Sequence, residues 1–277
     1  MYKKVLFFVS LGALLLTSCS FSEAGGKSSS AKKINEEKAG EMLTEIQTKL
    51  EENGPQPYSV EITTKTSAGI QSEERVYTYK DNLDGDIYCS WKFKSAGKVT
   101  SSGFAMQKNH STYEQVSYYE ATEGTETYKG ALAKKDNPSH EEQVEYFMEE
   151  YMEGYSSIVE MIPALTTGEN YTVEKIQEAA ESYVSSGYGV NATYSSEGKG
   201  SLIIKVVTAP LEGTTAEYLL RSDETITFKN YRFSELKSVN KYVSGASLTI
   251  NAKMKYGQNT IELPSGWEQS LYTPSED

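Results

Sequence analysis

The sequence predicts an α+β fold, a single curved antiparallel sheet of about eleven strands with helices packed on one face. Three observations predict it. Apolar residues recur at period two over two long stretches, 58–131 and 188–256. A helical period covers the segment before the first stretch and the interval between the two. The connections between strands are too short for the crossovers that parallel strands need. Separate all-α and all-β domains would not interrupt a meander with a helical hairpin and then resume it, so one layered domain is expected. Open twisted sheets of this size tend to curl.

The first element is a helix over 34–52, because Ile34, Met42, Leu43, Ile46 and Leu50 recur near the 3.6 period and Asn53-Gly54-Pro55 ends it. Six strands follow at 59–65, 75–80, 87–94, 103–107, 113–122 and 126–130. Turn signals separate them, at Ser67-Ala68-Gly69, Asn82-Leu83-Asp84-Gly85, Ser95-Ala96-Gly97, Lys108-Asn109-His110 and Glu123-Gly124. In the middle of the chain, Ser139 and Glu142 form a capping box ahead of a helix. Its stripe is Val144, Phe147, Met148, Tyr151, Met152, Tyr155, Ile158, Val159 and Ile162, and Pro163 stops it. A second helix starts at Thr172 and carries Val173, Ile176, Ala179, Ala180, Tyr183 and Val184. Five strands then read at 189–195, 201–208, 216–221, 225–233 and 246–256. The last has the cleanest pattern, Leu248, Ile250, Ala252, Met254 and Tyr256 alternating with polar neighbours. The tail 260–264 adds an edge or covers one.

The N-terminus has the form of a secretion signal. Lys3 and Lys4 precede an apolar run from Val5 to Leu16, shorter than the roughly 20 residues that span a bilayer. The run ends at Leu16-Thr17-Ser18-Cys19, which resembles the lipobox of bacterial lipoproteins, whose cysteine is lipidated and becomes the new N-terminus. That resemblance implies cleavage of 1–18, acylation of Cys19, and a location on the outer face of the cell membrane, held there by lipid. Two acyl chains anchor stably where one does not. Residues 20–33, rich in Ser, Gly, Ala and Lys, read with Cys19 as a flexible tether ahead of one folded domain at 34–277. Loss of 1–18 removes two lysines and no acid, moving the formal charge from −12 to −14. So acidic a surface disfavours nucleic acid and electrostatic adhesion to anionic headgroups.

Only two cysteines exist. With Cys19 acylated, Cys89 has no partner, and the domain has to be stable through its core alone. Cys89 shares a strand face with Ile87, Trp91 and Phe93, while Lys92 and Lys94 point the other way, so it reads as a small core residue.

The element order, helix, six strands, two helices, five strands, together with the lipoprotein N-terminus, resembles the half-barrel of the LolA, LolB and LppX type. Members of that superfamily carry lipids or lipoprotein acyl chains through the bacterial envelope. The resemblance covers nearly the whole mature chain and implies helices on the concave side of the sheet. It rests on no signature motif, so no ligand-contact residue transfers from it.

Catalytic signals are sparse. With only two histidines, His110 in a turn and His140 at a helix start, a Ser-His-Asp triad or a multi-histidine metal site is hard to assemble, and both read as exposed. Ser234 to Lys237 and Ser238 to Lys241 fit Ser-x-x-Lys without its partner motifs. Asp81, Asp84 and Asp86 around Gly85 resemble a calcium loop, but Lys92 occupies the position of its final Glu and strands flank it, so a hairpin turn is the better use. Glu141, Glu142, Glu145, Glu149, Glu150 and Glu153 read as the solvated side of the middle helix. The 21 tyrosines, against eight Phe and two Trp, reflect strand propensity and also suit a groove wall that tolerates water. No enzyme, cofactor or metal is expected.

The leading functional expectation is a carrier or receptor for a hydrophobic ligand, a lipid or acyl chain. Its lining is expected to be Ile87, Trp91, Phe93, Ile226, Phe228, Leu248, Ile250 and Met254 from strands, with Phe147, Tyr151 and Tyr155 from the middle helix. The alternative is a surface interaction module or adhesin with a filled core and no small-molecule ligand.

Overall fold

A computed structural model describes residues 31–108, 115–134, 139, 187–262 and 272–274. The two helices expected within 139–184, with Phe147, Tyr151 and Tyr155, lie outside the described residues, as do Cys19 and both histidines. Among the described residues one helix and thirteen strands form. They are β1 (Lys32–Ile34), α1 (Glu36–Asn53), β2 (Tyr58–Ala68), β3 (Gln71–Asp81), β4 (Ile87–Ser95), β5 (Lys98–Lys108), β6 (Gln115–Glu123) and β7 (Glu126–Lys134). After them come β8 (Tyr188–Gly198), β9 (Ser201–Pro210), β10 (Leu219–Lys229), β11 (Arg232–Tyr242), β12 (Ser247–Tyr256) and β13 (Tyr272–Pro274). Their hydrogen-bonded order is β1-β8-β9-β10-β11-β12-β2-β3-β4-β5-β6-β7-β13 in one large sheet. The fold is therefore α+β, built on a sheet whose hairpins β2 to β7 and β8 to β11 are antiparallel, while β13 runs parallel to β7. Among the described residues no helix is long and apolar enough to cross a membrane.

The expected six-strand meander is β2 to β7, and the later group of five is β8 to β12. The two strands not anticipated, β1 and β13, have three residues each, too few to show a period. β1 takes Lys32 and Lys33 from the predicted tether and Ile34 from the predicted helix, pairing them with Ser196, Ser195 and Tyr194. The helix consequently begins later. Asn35 caps it, its Oδ1 accepting from the Lys38 amide at 3.1 Å, and Glu36 and Glu37 complement the dipole of the first turn. Gly54, at φ +63°, closes its other end with its amide on the Leu50 carbonyl at 3.0 Å.

The larger correction concerns 216–233. The sequence suggests two strands, 216–221 and 225–233, broken at Ser222-Asp223-Glu224. The chain instead carries β10 straight through those polar residues and turns at Asn230 and Tyr231, both left-handed at φ +52° and +63°. Such a residue pair suits a two-residue hairpin loop. Tyr231 holds the conformation through its surroundings. Its ring lies against Gly200, where a Cβ would come within 2.9 Å of it, and its hydroxyl donates to Glu45 Oε1 on α1 at 3.2 Å.

Contacts divide the chain into two units that share β12. In the first, which holds β1, α1, β8 to β11 and residues 247–251, α1 turns Ala39, Met42, Leu43, Ile46 and Leu50 inward and packs against β8 and β9. Burial together with the nearby Glu36 carboxylate pushes the Tyr194 hydroxyl up to about 12. Cross-strand rows of the buried face run Tyr194, Ile204, Ile226, Leu236 and then Leu202, Phe228, Phe233. Phe228 and Phe233 are fully buried, edge to face with ring centroids 6.2 Å apart.

In the second unit, β2 to β7 with residues 252–256 and β13, one face carries Tyr58, Val60, Ile62, Tyr77, Tyr79, Ile87, Cys89 and Ala105, all buried. On the other face the described tail departs from both expectations, an added edge or a covered one. Residues 260–262 form no edge strand but cover a surface, Ile261 packing on Phe104 and Met106 beside Tyr88. The tail is pinned by amide chemistry. The Asn259 amide donates to Asn82 Oδ1 at 2.9 Å, Asn82 Nδ2 to the Asn259 carbonyl at 3.0 Å, and Asn259 Nδ2 to the Tyr58 carbonyl at 2.8 Å. Lys80 and Lys108 donate to the Thr260 and Ile261 carbonyls at 3.1 and 2.7 Å. Ile261→Ala is expected to cost about 2–4 kcal/mol, read as a lowered urea midpoint, because it empties that cluster. An unchanged midpoint refutes the packing.

The three acids near Gly85 are turn residues. Asp81 Oδ1 accepts from the Leu83 amide at 2.7 Å, Asp84 Oδ1 accepts from the Asp86 amide at 3.1 Å, and Asp86 pairs with Lys108 at 3.6 Å.

Candidate functional site

Strand register sorts the expected lining. In the second unit, Ile87, Cys89, Trp91 and Phe93 share the face of Tyr77 and Tyr79, as period two requires, with Lys92 and Lys94 on the other. Ile87 and Cys89 are buried core. Burial pushes the Cys89 thiol up to about 12, which suits an inert packing residue. Trp91 and Phe93 differ, being only half-buried, and they stand beside Tyr77. Tyr77 meets Phe93 edge-on with centroids 5.5 Å apart, and the Arg75 guanidinium lies 5.2 Å from the Phe93 centroid.

Gly103 makes room for this cluster. It is the register partner of Trp91 on β5, and a Cβ there would overlap both the Trp91 ring and the Glu120 carbonyl oxygen. A glycine inside a strand marks such a close approach, a signal present in the sequence that the period-two reading passed over. Gly103→Ala is expected to displace the indole and destabilise by about 1–3 kcal/mol, seen as a lower denaturation midpoint with shifted tryptophan emission. Unaltered emission would mean that the ring does not lie there.

Of the remaining candidates, Met254 is buried in the second unit and Ile226 and Phe228 in the first. Leu248 and Ile250 are half-buried, as are all residues from 247 to 251, so the clean alternation read for β12 holds only from Ala252 to Lys255. The described lining thus falls into closed core (Ile87, Ile226, Phe228, Met254) and partly open surface (Trp91, Phe93, Leu248, Ile250).

Sequence reading missed a polar patch in the first unit. Two rows on the buried face are Thr208, Ser222, Asn240 and Val206, Glu224, Ser238. Glu224 is 4% exposed, and desolvation raises its carboxyl well above the usual value of 4.5, Ser238 opposing that through one hydrogen bond. Asn240 Nδ2 donates to Ser238 Oγ at 3.3 Å and Ser238 donates to Glu224 Oε1 at 3.2 Å, while Glu224 Oε2 has no partner among the described residues. Nothing in the local sequence flags an inward acid, since Ser222-Asp223-Glu224 falls in the gap between the two strands expected there. The same strand disposes of the two Ser-x-x-Lys fragments. Lys241 stands three residues from Ser238 along β11, which places it on the opposite sheet face.

No family model matches the chain, and no curated protein matches it. Solved structures do resemble it. A DUF1329 family protein from Desulfovibrio piger is 9% identical, with a TM-score of 0.24, over 84% of this chain and 96% of its own. A domain from Vibrio parahaemolyticus, described as belonging to an outer membrane lipoprotein-sorting protein, gives 9% and 0.24 over 85% and 96%. A LolA superfamily protein from Nitrosomonas europaea gives 9% and 0.24 over 82% and 96%. No residue role passes from these structures to this chain.

Proposed function

We propose that this chain is a lipid-anchored, extracytoplasmic carrier or receptor for a hydrophobic ligand, a lipid or acyl chain, and not an enzyme. The signal at 1–18 is removed, Cys19 is acylated, and residues 19–33 tether the folded part at 34–277. One observation carries the ligand reading. On the β4 face that carries buried Ile87 and Cys89, Trp91 and Phe93 keep apolar surface partly open. Large apolar rings left open to solvent gain by burial against a guest, at about 25 cal/mol per Å² covered.

Native mass spectrometry of the mature chain, purified gently from its own host, tests both parts. A mass increment at Cys19 of at least two acyl chains, absent in Cys19→Ala, supports the anchor. A co-purifying lipid, depleted in Trp91→Ala, supports the carrier. Protein that consistently carries no lipid and takes up none from vesicles of its host's lipids sinks the ligand reading while leaving the anchor standing.

A second reading, an interaction module, draws on one surface. Tyr218, Leu220 and Val243 are exposed at one end of the first unit, with the Val243 amide on the Tyr218 carbonyl at 3.0 Å and the Tyr218 and Tyr242 rings 5.0 Å apart. Under the carrier reading, alanine at Tyr218 and Val243 leaves lipid content unchanged.

A further inference from the structure

Two neighbouring hairpins of the second unit, β2 with β3 and β4 with β5, end in tips of unusual composition. Register leaves Gly69-Ile70 as one two-residue loop and Ala96-Gly97 as the other. The Ala96 amide donates to the Ser72 carbonyl at 2.9 Å, so the two tips stand side by side. Turn positions ordinarily go to Gly, Pro, Asn, Asp or Ser, which suit the backbone conformation and stay solvated. Here the first tip presents Ile70 with its side chain wholly exposed, and the second presents Val99, 49% exposed. A single apolar residue on a surface needs no explanation. Two on adjacent tips, bordered by basic side chains, do.

Charge is the second observation. Within 65–75 and 92–99, Lys65, Arg75, Lys92, Lys94 and Lys98 stand against Glu73 and Glu74, a formal +3 on a chain of −12. Glu74 is held by Lys65 at 3.0 Å and by Lys94 at 2.7 Å, and Glu73 by Arg75 at 3.2 Å. Lys92 and Lys98 are exposed and form no ion pair among the described residues. Register puts Lys65, Lys92 and Lys94 on one sheet face and Arg75 and Lys98 on the other, so positive charge borders the tips on both sides. The next hairpin, β6 with β7, turns between Glu123 and Glu126 and bounds this basic area.

We propose that these two tips dock on an anionic lipid bilayer. Ile70 and Val99 enter the boundary between headgroups and acyl chains, and the lysines lie among the phosphates. Aliphatic side chains gain by leaving water there, and lysine stems run alongside them to place the ammonium groups at headgroup level. Each basic group near such a surface strengthens binding about fivefold. Net charge averages over the whole chain and conceals the local excess. Repulsion of the acidic remainder then orients the molecule tips first. A protein partner fits less well, because such interfaces centre on aromatic anchors packed in pockets. Tip docking needs neither the acyl anchor nor a guest, so it goes beyond the carrier reading. It also brings the bilayer next to the half-open Phe93 and Trp91, which follow Ser95 back along β4.

The test is flotation of residues 19–277 carrying Cys19→Ala, so that no acyl group holds the chain, with vesicles of phosphatidylcholine alone or with about one third phosphatidylglycerol. The chain is expected to bind the anionic vesicles, and to bind about tenfold more weakly without phosphatidylglycerol or when salt rises from about 0.1 M to about 0.5 M. Lys92→Gln with Lys98→Gln is expected to weaken anionic-vesicle binding more than about tenfold, and Ile70→Ser with Val99→Ser about tenfold. Lys199→Gln with Lys241→Gln removes the same charge from exposed positions on the first unit and is expected to bind like the parent. All of these side chains are exposed, so the variants fold, and circular dichroism verifies that before binding is compared. Equal binding to both vesicles, or an equal loss in the Lys199 and Lys241 pair, overturns the basic collar and the docking with it. So does parental binding by Ile70→Ser with Val99→Ser. A chain that floats with neither vesicle overturns the docking and leaves the tips to a protein partner. Lipid content by native mass spectrometry is a separate readout, so the carrier reading fails or stands independently of these outcomes.

Discussion

Phe228→Ala is expected to remove about 3–5 kcal/mol of stability, a large part of the 5–15 kcal/mol that domains usually have. The side chain is completely buried, opposite Leu202 on one neighbour strand and Phe233 on the other. Its deletion loses the transfer energy of the ring, leaves a cavity whose walls are fixed by two strand ladders, and strips Phe233 of its edge-to-face partner. At roughly 2–4 °C per kcal/mol for a chain of this size, the melting temperature should fall by about 10 °C. Phe228→Leu, which keeps most of the volume, should cost under about 1.5 kcal/mol. Should the alanine variant melt within 2 °C of the parent, the ring is not core, and Phe228 returns to the lining of a groove.

The second large effect is a stability that declines as pH rises above about 4.5. Glu224 is held protonated in the folded chain by desolvation, so its folded pKa lies above the unfolded value of about 4.5. Below 4.5 both states carry the proton and the group contributes nothing to the pH dependence. Between 4.5 and the raised folded value, the unfolded chain releases the proton and the folded chain keeps it, so folding weakens about tenfold in its equilibrium constant per pH unit. Glu224→Gln removes that slope. Urea titrations at pH 5, 6 and 7 should therefore show the variant overtaking the parent, with a gap that widens at each step. Parallel lines for the two proteins would show that the carboxyl is solvated in the native state.

The inward acid also explains what the sequence did and did not disclose. Strands that bury one apolar face, such as β4 with Ile87, Cys89, Trp91 and Phe93, were legible because their alternation matches the pleat. So were the hairpins at Ala96-Gly97 and Gly124, where left-handed backbone calls for glycine at one position. β10 was not legible. Ser222 and Glu224 point into the protein where the pattern asks for apolar residues, and the polar run therefore read as a turn. The true turn, at Asn230-Tyr231, was masked in the same way because a tyrosine rarely takes positive φ. Local rules tend to fail where a fold serves something other than its own stability, and the displaced strand boundary falls on a buried acid with an oxygen that has no partner among the described residues. Period alone places Trp91 and Phe93 on one strand face, whereas their neighbour Tyr77 and the glycine beneath the indole needed register across three strands.

The bonds between Asn82 and Asn259 join residues 177 positions apart. The segment 58–134 is made well before Ile261, so Phe104 and Met106 lack that cover until roughly 150 further residues have been added. A nascent chain therefore spends most of its synthesis with an uncapped apolar surface, and closure across so many residues is slow. Stop codons placed just ahead of Gly257 should yield a protein that aggregates or is degraded, even though nearly all of the sheet has by then been translated.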